Sequence, residues 1–208
     1  MKPFRITVVV VLVIAAAAGW LVYPGGAGTP SARELDQRLE ATVLPAGIAR
    51  FPRIRLASEG GGFSRADFAG SWTLLFMGYT SCPDVCPTTL AGLSVAVDQM
   101  RKAGVQPPRV LFVSVDYRRD EPAEVAKYAG GFDKEFLGAT AEESVLRRLA
   151  DSLNVTFTVP EELTSGDLVE HSSALFLLDP KGRVRAIFGS PQDPTTIARE
   201  VPIIRDAL

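Results

Sequence analysis

One stretch, Gly78-Tyr79-Thr80-Ser81-Cys82-Pro83-Asp84-Val85-Cys86-Pro87, holds both cysteines of the chain. It follows a continuous apolar run over residues 72–77, the pattern of a central strand covered on both faces. It opens residues 87–102, where Leu90, Leu93, Val97 and Met100 recur at helical spacing. In an α/β pattern, a strand turning into a helix N-terminus is where chemistry is placed. The unpaired N–H groups and positive dipole end of the helix favour thiolate over thiol there. The spacing is Cys-x-x-x-Cys, not the Cys-x-x-Cys of a redox motif. A proline follows each cysteine and biases both away from the α region. Pro87 suits the first helical position, with Cys86 as N-cap. Residues 82–86 are therefore predicted to form a tight turn that aims both sulfurs at one small volume. A structural disulfide in an exported protein is the plain alternative.

Upstream, residues 6–23 carry no charge and follow Lys2 and Arg5. A membrane-spanning helix needs roughly 17–25 such residues. Positive charge before the span, and none after it until Arg33, predicts a single-pass anchor with its N-terminus inside and the domain outside. A signal peptide cleaved near Ala27 is the rival. Trp20 and Tyr23 extend the span and supply interfacial aromatics. No Arg- and Ser-rich presequence is visible, which points to the inner membrane and periplasm of a bacterium rather than a mitochondrion. Residues 24–45 read as linker or stalk, with Ser31 and Glu34 spaced as a capping box for a short helix. The globular part is placed at residues 46–208.

Within that part, residues 110–115 form a second buried strand ending at Asp116. Residues 121–129 and 141–153 read as helices, and 136–138 as a brief strand. Residues 160–167 form an acidic loop. Residues 174–178 and 184–188 form a hairpin across the turn Asp179-Pro180-Lys181-Gly182, and 194–208 a final helix with Pro202 as a kink. Strands alternating with helices, followed by a hairpin, predict an α/β domain with a mixed, mostly parallel sheet. With 208 residues, 47% hydrophobic, the chain suits one domain plus a little extra. A net charge of −2 gives no footprint for nucleic acid. A single histidine excludes any site built on several imidazoles.

The cysteine stretch resembles the signature of the Sco/SenC family, thioredoxin-like copper proteins of cytochrome c oxidase assembly. Two further segments match in order. Val113-Ser114-Val115-Asp116-Tyr117-Arg118-Arg119-Asp120-Glu121-Pro122 resembles the family's strand-end segment, with Tyr117 where a proline is usual. Val169-Glu170-His171-Ser172, followed by residues 175–182, resembles its histidine segment, with Glu170 where an aspartate is usual. The resemblance implies a thioredoxin-like fold and one copper ion, Cu(I) or Cu(II), held by Cys82, Cys86 and His171. His171 then stands where a redox member of that fold carries a cis-proline facing its cysteines. Soft thiolates suit Cu(I) and imidazole also suits Cu(II); zinc is the rival on ligand type. Asp116 ends a central strand on the same carboxyl edge as Cys82. It is read either as a turn residue or as a group orienting His171. Asp84 is expected to shape the cysteine turn, Tyr79 and Thr80 to pack, and Arg118, Arg119, Glu161 and Glu162 to be solvated surface.

The resemblance thus implies a membrane-tethered metallochaperone that passes copper to the dinuclear copper site of cytochrome c oxidase. Its partners would be the copper-site subunit and other periplasmic copper chaperones. A thiol–disulfide oxidoreductase that reduces the cysteines of that site, with Cys82 and Cys86 as the redox pair, is the alternative. A peroxide-reducing enzyme lacks the dedicated acid or base such a thiol needs.

Overall fold

The computed structural model describes residues 30–162, 164 and 166–208. In chain order the elements are α1 (Ala32–Asp36), β1 (Thr42–Val43), β2 (Arg55–Leu56), β3 (Phe63–Ser64), a 3₁₀ turn (Arg65–Phe68), β4 (Thr73–Gly78), α2 (Val85–Lys102), β5 (Arg109–Ser114), α3 (Pro122–Gly130), β6 (Leu137–Ala139), α4 (Glu143–Leu153), β7 (Phe157–Thr158), β8 (Glu170–His171), β9 (Leu175–Leu178), β10 (Val184–Phe188) and α5 (Pro194–Ala207). Every residue of β4 is buried, as its unbroken apolar run requires of a strand with both faces covered. It lies inside a six-stranded sheet of order β1-β10-β9-β4-β5-β6.

Pairings β4–β5 and β5–β6 are parallel. Pairings β4–β9, β9–β10 and β10–β1 are antiparallel. The sheet is mixed as expected, but parallel pairing is the minority. The hairpin joins β4 directly in the interior of the sheet, and a further antiparallel strand, β1, closes its edge.

That last strand also shifts the start of the packed unit, which runs from Ser31 to Leu208. Residues 31–45, read from sequence as linker or stalk, contribute Leu35, Ala41 and Val43 to the core. Ser31 and Glu34 do form the capping box. The buried carboxylate of Glu200 on α5 accepts the N–H groups of Glu40 and Ala41, each at 3.0 Å. These contacts are long-range, and a two-residue strand is too short to show alternation in sequence. The expected membrane span at residues 6–23 lies outside the described residues. Among those described, no helix is long and apolar enough to cross a membrane.

Helix α2 positions the site. Its buried residues Cys86, Thr89, Leu90, Leu93, Ala96, Val97 and Met100 form one stripe at helical spacing. Cys86 is the first member of that stripe. Helix α5 packs on α2, and α3 packs on β5 and β6. Strands β4 and β5 run parallel and in register, Gly78 opposite Ser114. The segments that leave their carboxyl ends, residues 79–84 and 115–121, therefore emerge side by side.

Candidate metal centre

The turn between β4 and α2 differs from its sequence reading in one respect. The helix begins at Val85, with Asp84 as N-cap, so Cys86 lies inside the first turn and Pro87 follows it. Proline is tolerated there because first-turn N–H groups have no helical partner. Two features outweigh the pre-proline bias at Cys86. Its side chain is fully buried on the apolar stripe of α2, and its N–H donates to the Cys82 sulfur at 3.4 Å. Asp84 offers no side-chain cap to the backbone and accepts instead from the Thr88 hydroxyl at 3.3 Å.

Cys82 and Cys86 are free thiols. Their sulfurs and a ring nitrogen of His171 all lie within 4.8 Å of one another. His171 reaches the pair from β8, which is laddered to β7 and not to the main sheet. Its Nδ1 is 2.9 Å from the Ser172 carbonyl. A carbonyl only accepts, so Nδ1 carries the proton and the neutral ring turns an Nε2 lone pair toward Cys86 Sγ, 3.5 Å away. The ring stands edge-on to Phe76 and Tyr79. Burial holds its pKa below the ordinary histidine value, against the opposing pull of the Ser172 and Met77 carbonyls. The imidazole is thus kept in the form that ligates.

The thiols depart from expectation at Cys86. Burial pushes that thiol far above the ordinary cysteine range, and the charges of Cys82 and Asp120 add to the effect. The Tyr79 backbone N–H works the other way. Desolvation beats the helix terminus here. In the metal-free chain Cys86 is a thiol, and a metal entering the site has to displace its proton. Room for that sulfur comes from Gly78. A Cβ on residue 78 would lie 2.7 Å from Cys86 Sγ and 2.8 Å from Phe112 Cε2.

Asp116 is fully buried on the expected edge, but its side-chain bond goes to Arg119 Nε at 2.5 Å. The Nδ1 partner of His171 is Ser172 instead. Arg119 is no solvated surface residue. It also donates to the carbonyls of Thr164 and Asp167 at 3.0 and 3.1 Å and lies over the Tyr79 ring. Arg118 donates to the carbonyls of Pro160 and Glu161. The two arginines tie down the loop that leads into β8, because its carbonyls have no ladder of their own to enter. Asp116 therefore reaches His171 only indirectly, through Arg119 and that loop.

Sequence reasoning gave no role to Asp120. Its buried carboxylate accepts from Thr80 N at 2.8 Å, Thr80 Oγ1 at 2.6 Å and Ser114 Oγ at 2.5 Å. It binds the cysteine loop to the end of β5. The available signal was a carboxylate six residues beyond the end of a buried strand, which does not specify a partner. A groove of about 440 Å³, lined by Tyr79, Cys82, Val85, Leu168, Glu170 and His171 among others, leads from solvent to the site. Cys82 borders this groove while Cys86 lies beneath it, wholly covered.

Two sulfurs and an imidazole facing one point on a mixed α/β scaffold agree with comparisons against known proteins. The chain is 37% identical over 120 residues to the mitochondrial SCO2 homologue of Bos taurus, covering 57% of this chain and 45% of that one. The matched segment spans about half the length of the curated relatives it matches. The copper-bound crystal structure of Arabidopsis thaliana ScoI superposes with a TM-score of 0.69 at 30% identity, over 76% of this chain and 99% of that one. Copper-bound Bradyrhizobium japonicum ScoI gives 0.63 at 29% identity, over 77% and 100%. These likenesses confirm the thioredoxin-like fold. A family model described as SCO1/SenC matches residues 55–204, a span containing all three candidate ligands, and the chain belongs to that family.

Proposed function

We propose that this protein is a membrane-tethered copper metallochaperone that delivers copper to the dinuclear copper site of cytochrome c oxidase during assembly. The observation that carries the reading is the convergence of Cys82, Cys86 and His171 donor atoms within 4.8 Å. Two sulfurs suit Cu(I), the imidazole extends the set to Cu(II), and affinity along the divalent series peaks at Cu(II) rather than zinc. The metal is cargo. Cys82 at the groove is the ligand that an incoming thiolate meets first, so exchange starts there. Residues 6–23 would tether the domain on the periplasmic face of the inner membrane.

Reduction of the recipient's cysteines is the second reading, and the free thiol pair favours it. In that reaction Cys82 attacks a partner disulfide and releases one partner thiol. Cys86 then attacks the mixed disulfide, releasing the second thiol and leaving a Cys82–Cys86 disulfide, two electrons having passed to the partner. The thiolate is the nucleophile in each step. Burial that keeps Cys86 protonated slows the second step, whereas a bound cation displaces the proton outright. This contrast supports the copper reading.

The test uses the full-length chain, purified reduced. Wild type is expected to take up about one copper, as one three-ligand site requires. Cys82→Ser and Cys86→Ser each lose most of it. His171→Ala keeps a weak Cu(I) dithiolate but loses or alters the Cu(II) spectrum, and oxidase assembly fails in cells. Normal assembly with an unchanged Cu(II) spectrum in His171→Ala would hand the function to the reductase reading.

A further inference from the structure

Cys86 and His171 sit on segments that no backbone ladder joins. Cys86 is in the first turn of α2, and His171 is on β8, whose ladder partner is β7. One side chain outside both segments bonds to both. Gln192 lies between β10 and α5, next to Asp193, whose side chain caps α5 by accepting the Thr196 N–H at 2.7 Å. The Gln192 Nε2 donates to the Ser173 carbonyl at 2.6 Å. Its Oε1 accepts from the Thr89 hydroxyl at 3.4 Å. Ser173 follows Ser172, the residue whose carbonyl holds His171 Nδ1. Thr89 lies on the same buried stripe of α2 as Cys86. The amide orientation is fixed by chemistry, since the Ser173 carbonyl requires a donor.

We propose that Gln192 is a positioning residue for this site, setting the distance and angle between the His171 imidazole and the Cys86 sulfur. It works through two intermediaries, Ser172–Ser173 on one side and Thr89 on the other. Both ends of the amide are needed, a donor toward Ser173 and an acceptor toward Thr89. Glutamate keeps the acceptor but turns a second one against the Ser173 carbonyl. Methionine fills the space with neither. The inference takes its purpose from the copper reading, but its geometry is a property of the metal-free chain.

The test compares full-length wild type with Gln192→Glu and Gln192→Met, with far-UV circular dichroism and thermal melts as fold controls. The first readout is metal-free: the ring-nitrogen NMR signals of His171, the chain's single histidine. Both variants are expected to shift these signals as the Nδ1 hydrogen bond loosens. The second readout adds Cu(II) sulfate and records the sulfur-to-copper absorption and chelator-competition affinity. Both variants are expected to lose Cu(II) affinity about 10- to 100-fold, the usual cost of removing a ligand's supporting partner. Cu(I) affinity, carried by the two sulfurs, changes less. His171 signals identical to wild type in a folded variant overturn the proposal, as does a Cu(II) spectrum and affinity within about twofold of wild type. If wild type itself binds no copper, the copper reading fails, and the NMR comparison alone decides on Gln192.

Discussion

Gly78 lacks a side chain where Cys86 needs space. Gly78→Ala would place a methyl 2.7 Å from the sulfur, well inside contact distance. Overpacking of this kind costs about 1–3 kcal/mol. The variant is therefore expected to melt at lower temperature and to hold copper more weakly, because the sulfur itself is pushed aside. Chelator competition beside a thermal melt checks this; lower stability with wild-type copper affinity would mean that Phe112 moves instead. The three residues proposed as ligands stood out in the sequence because they are rare, reactive types: two cysteines and one histidine in the whole chain. Gly78 was visible only as a strand-end glycine, which reads as a turn. The protonation of Cys86 was not legible either. The motif suggested a helix terminus, and the opposing desolvation arises from packing between α2, β4 and β5. Arg119 and Asp120 belonged to a recognised motif, but their roles depend on Thr80, Ser114 and a loop some forty residues on.

Among the elements, β4 and β5 were legible as unbroken apolar runs, and the β9–β10 hairpin as two such runs flanking Asp179-Pro180-Lys181-Gly182. The turn holds together through Asp179. Its nearly buried carboxylate accepts the Lys181 and Arg183 N–H groups at 2.8 and 3.0 Å and Arg183 Nε at 2.6 Å. Burial alone would raise its pKa, but these donors outweigh burial and the value falls below the ordinary aspartate range. A depressed carboxylate adds stability that is complete above its unfolded value of about 3.9 and is lost as pH falls through the folded value. Asp179→Asn is therefore expected to melt below wild type by a margin that is steady above about pH 5 and narrows below about pH 4. Thermal melts across that range check it; a margin constant down to about pH 2.5 would remove the carboxylate from the account. The short ladder β7–β8 was far less legible, because two-residue strands carry no periodicity.

On the scale of the whole molecule, the described unit is held at one edge by a segment that sequence placed outside it. A chain beginning at Ser31 keeps β1, Leu35, Val43 and the backbone partners of Glu200. One beginning at Ala46 loses them and bares the edge of β10. At about 1.5–3 kcal/mol for each large apolar side chain, the shorter chain is expected to be less stable by about 3–6 kcal/mol in urea unfolding. Equal midpoints would show that residues 31–45 are a spacer after all. The uneven mounting of the three donors has a kinetic consequence. Cys82 and Cys86 lie on the turn and helix that leave β4 of the six-stranded sheet, while the imidazole rides on the two-residue strand β8, whose ladder partner among the described residues is β7. Such small ladders open without global unfolding. Amide hydrogens of Phe157 and His171 are therefore expected to exchange with deuterated water orders of magnitude faster than those of Phe76 and Val113. If copper is the cargo, the imidazole is the donor whose distance to the two sulfurs fluctuates with this local opening, so the site passes between three donors and two on the timescale set by four paired residues.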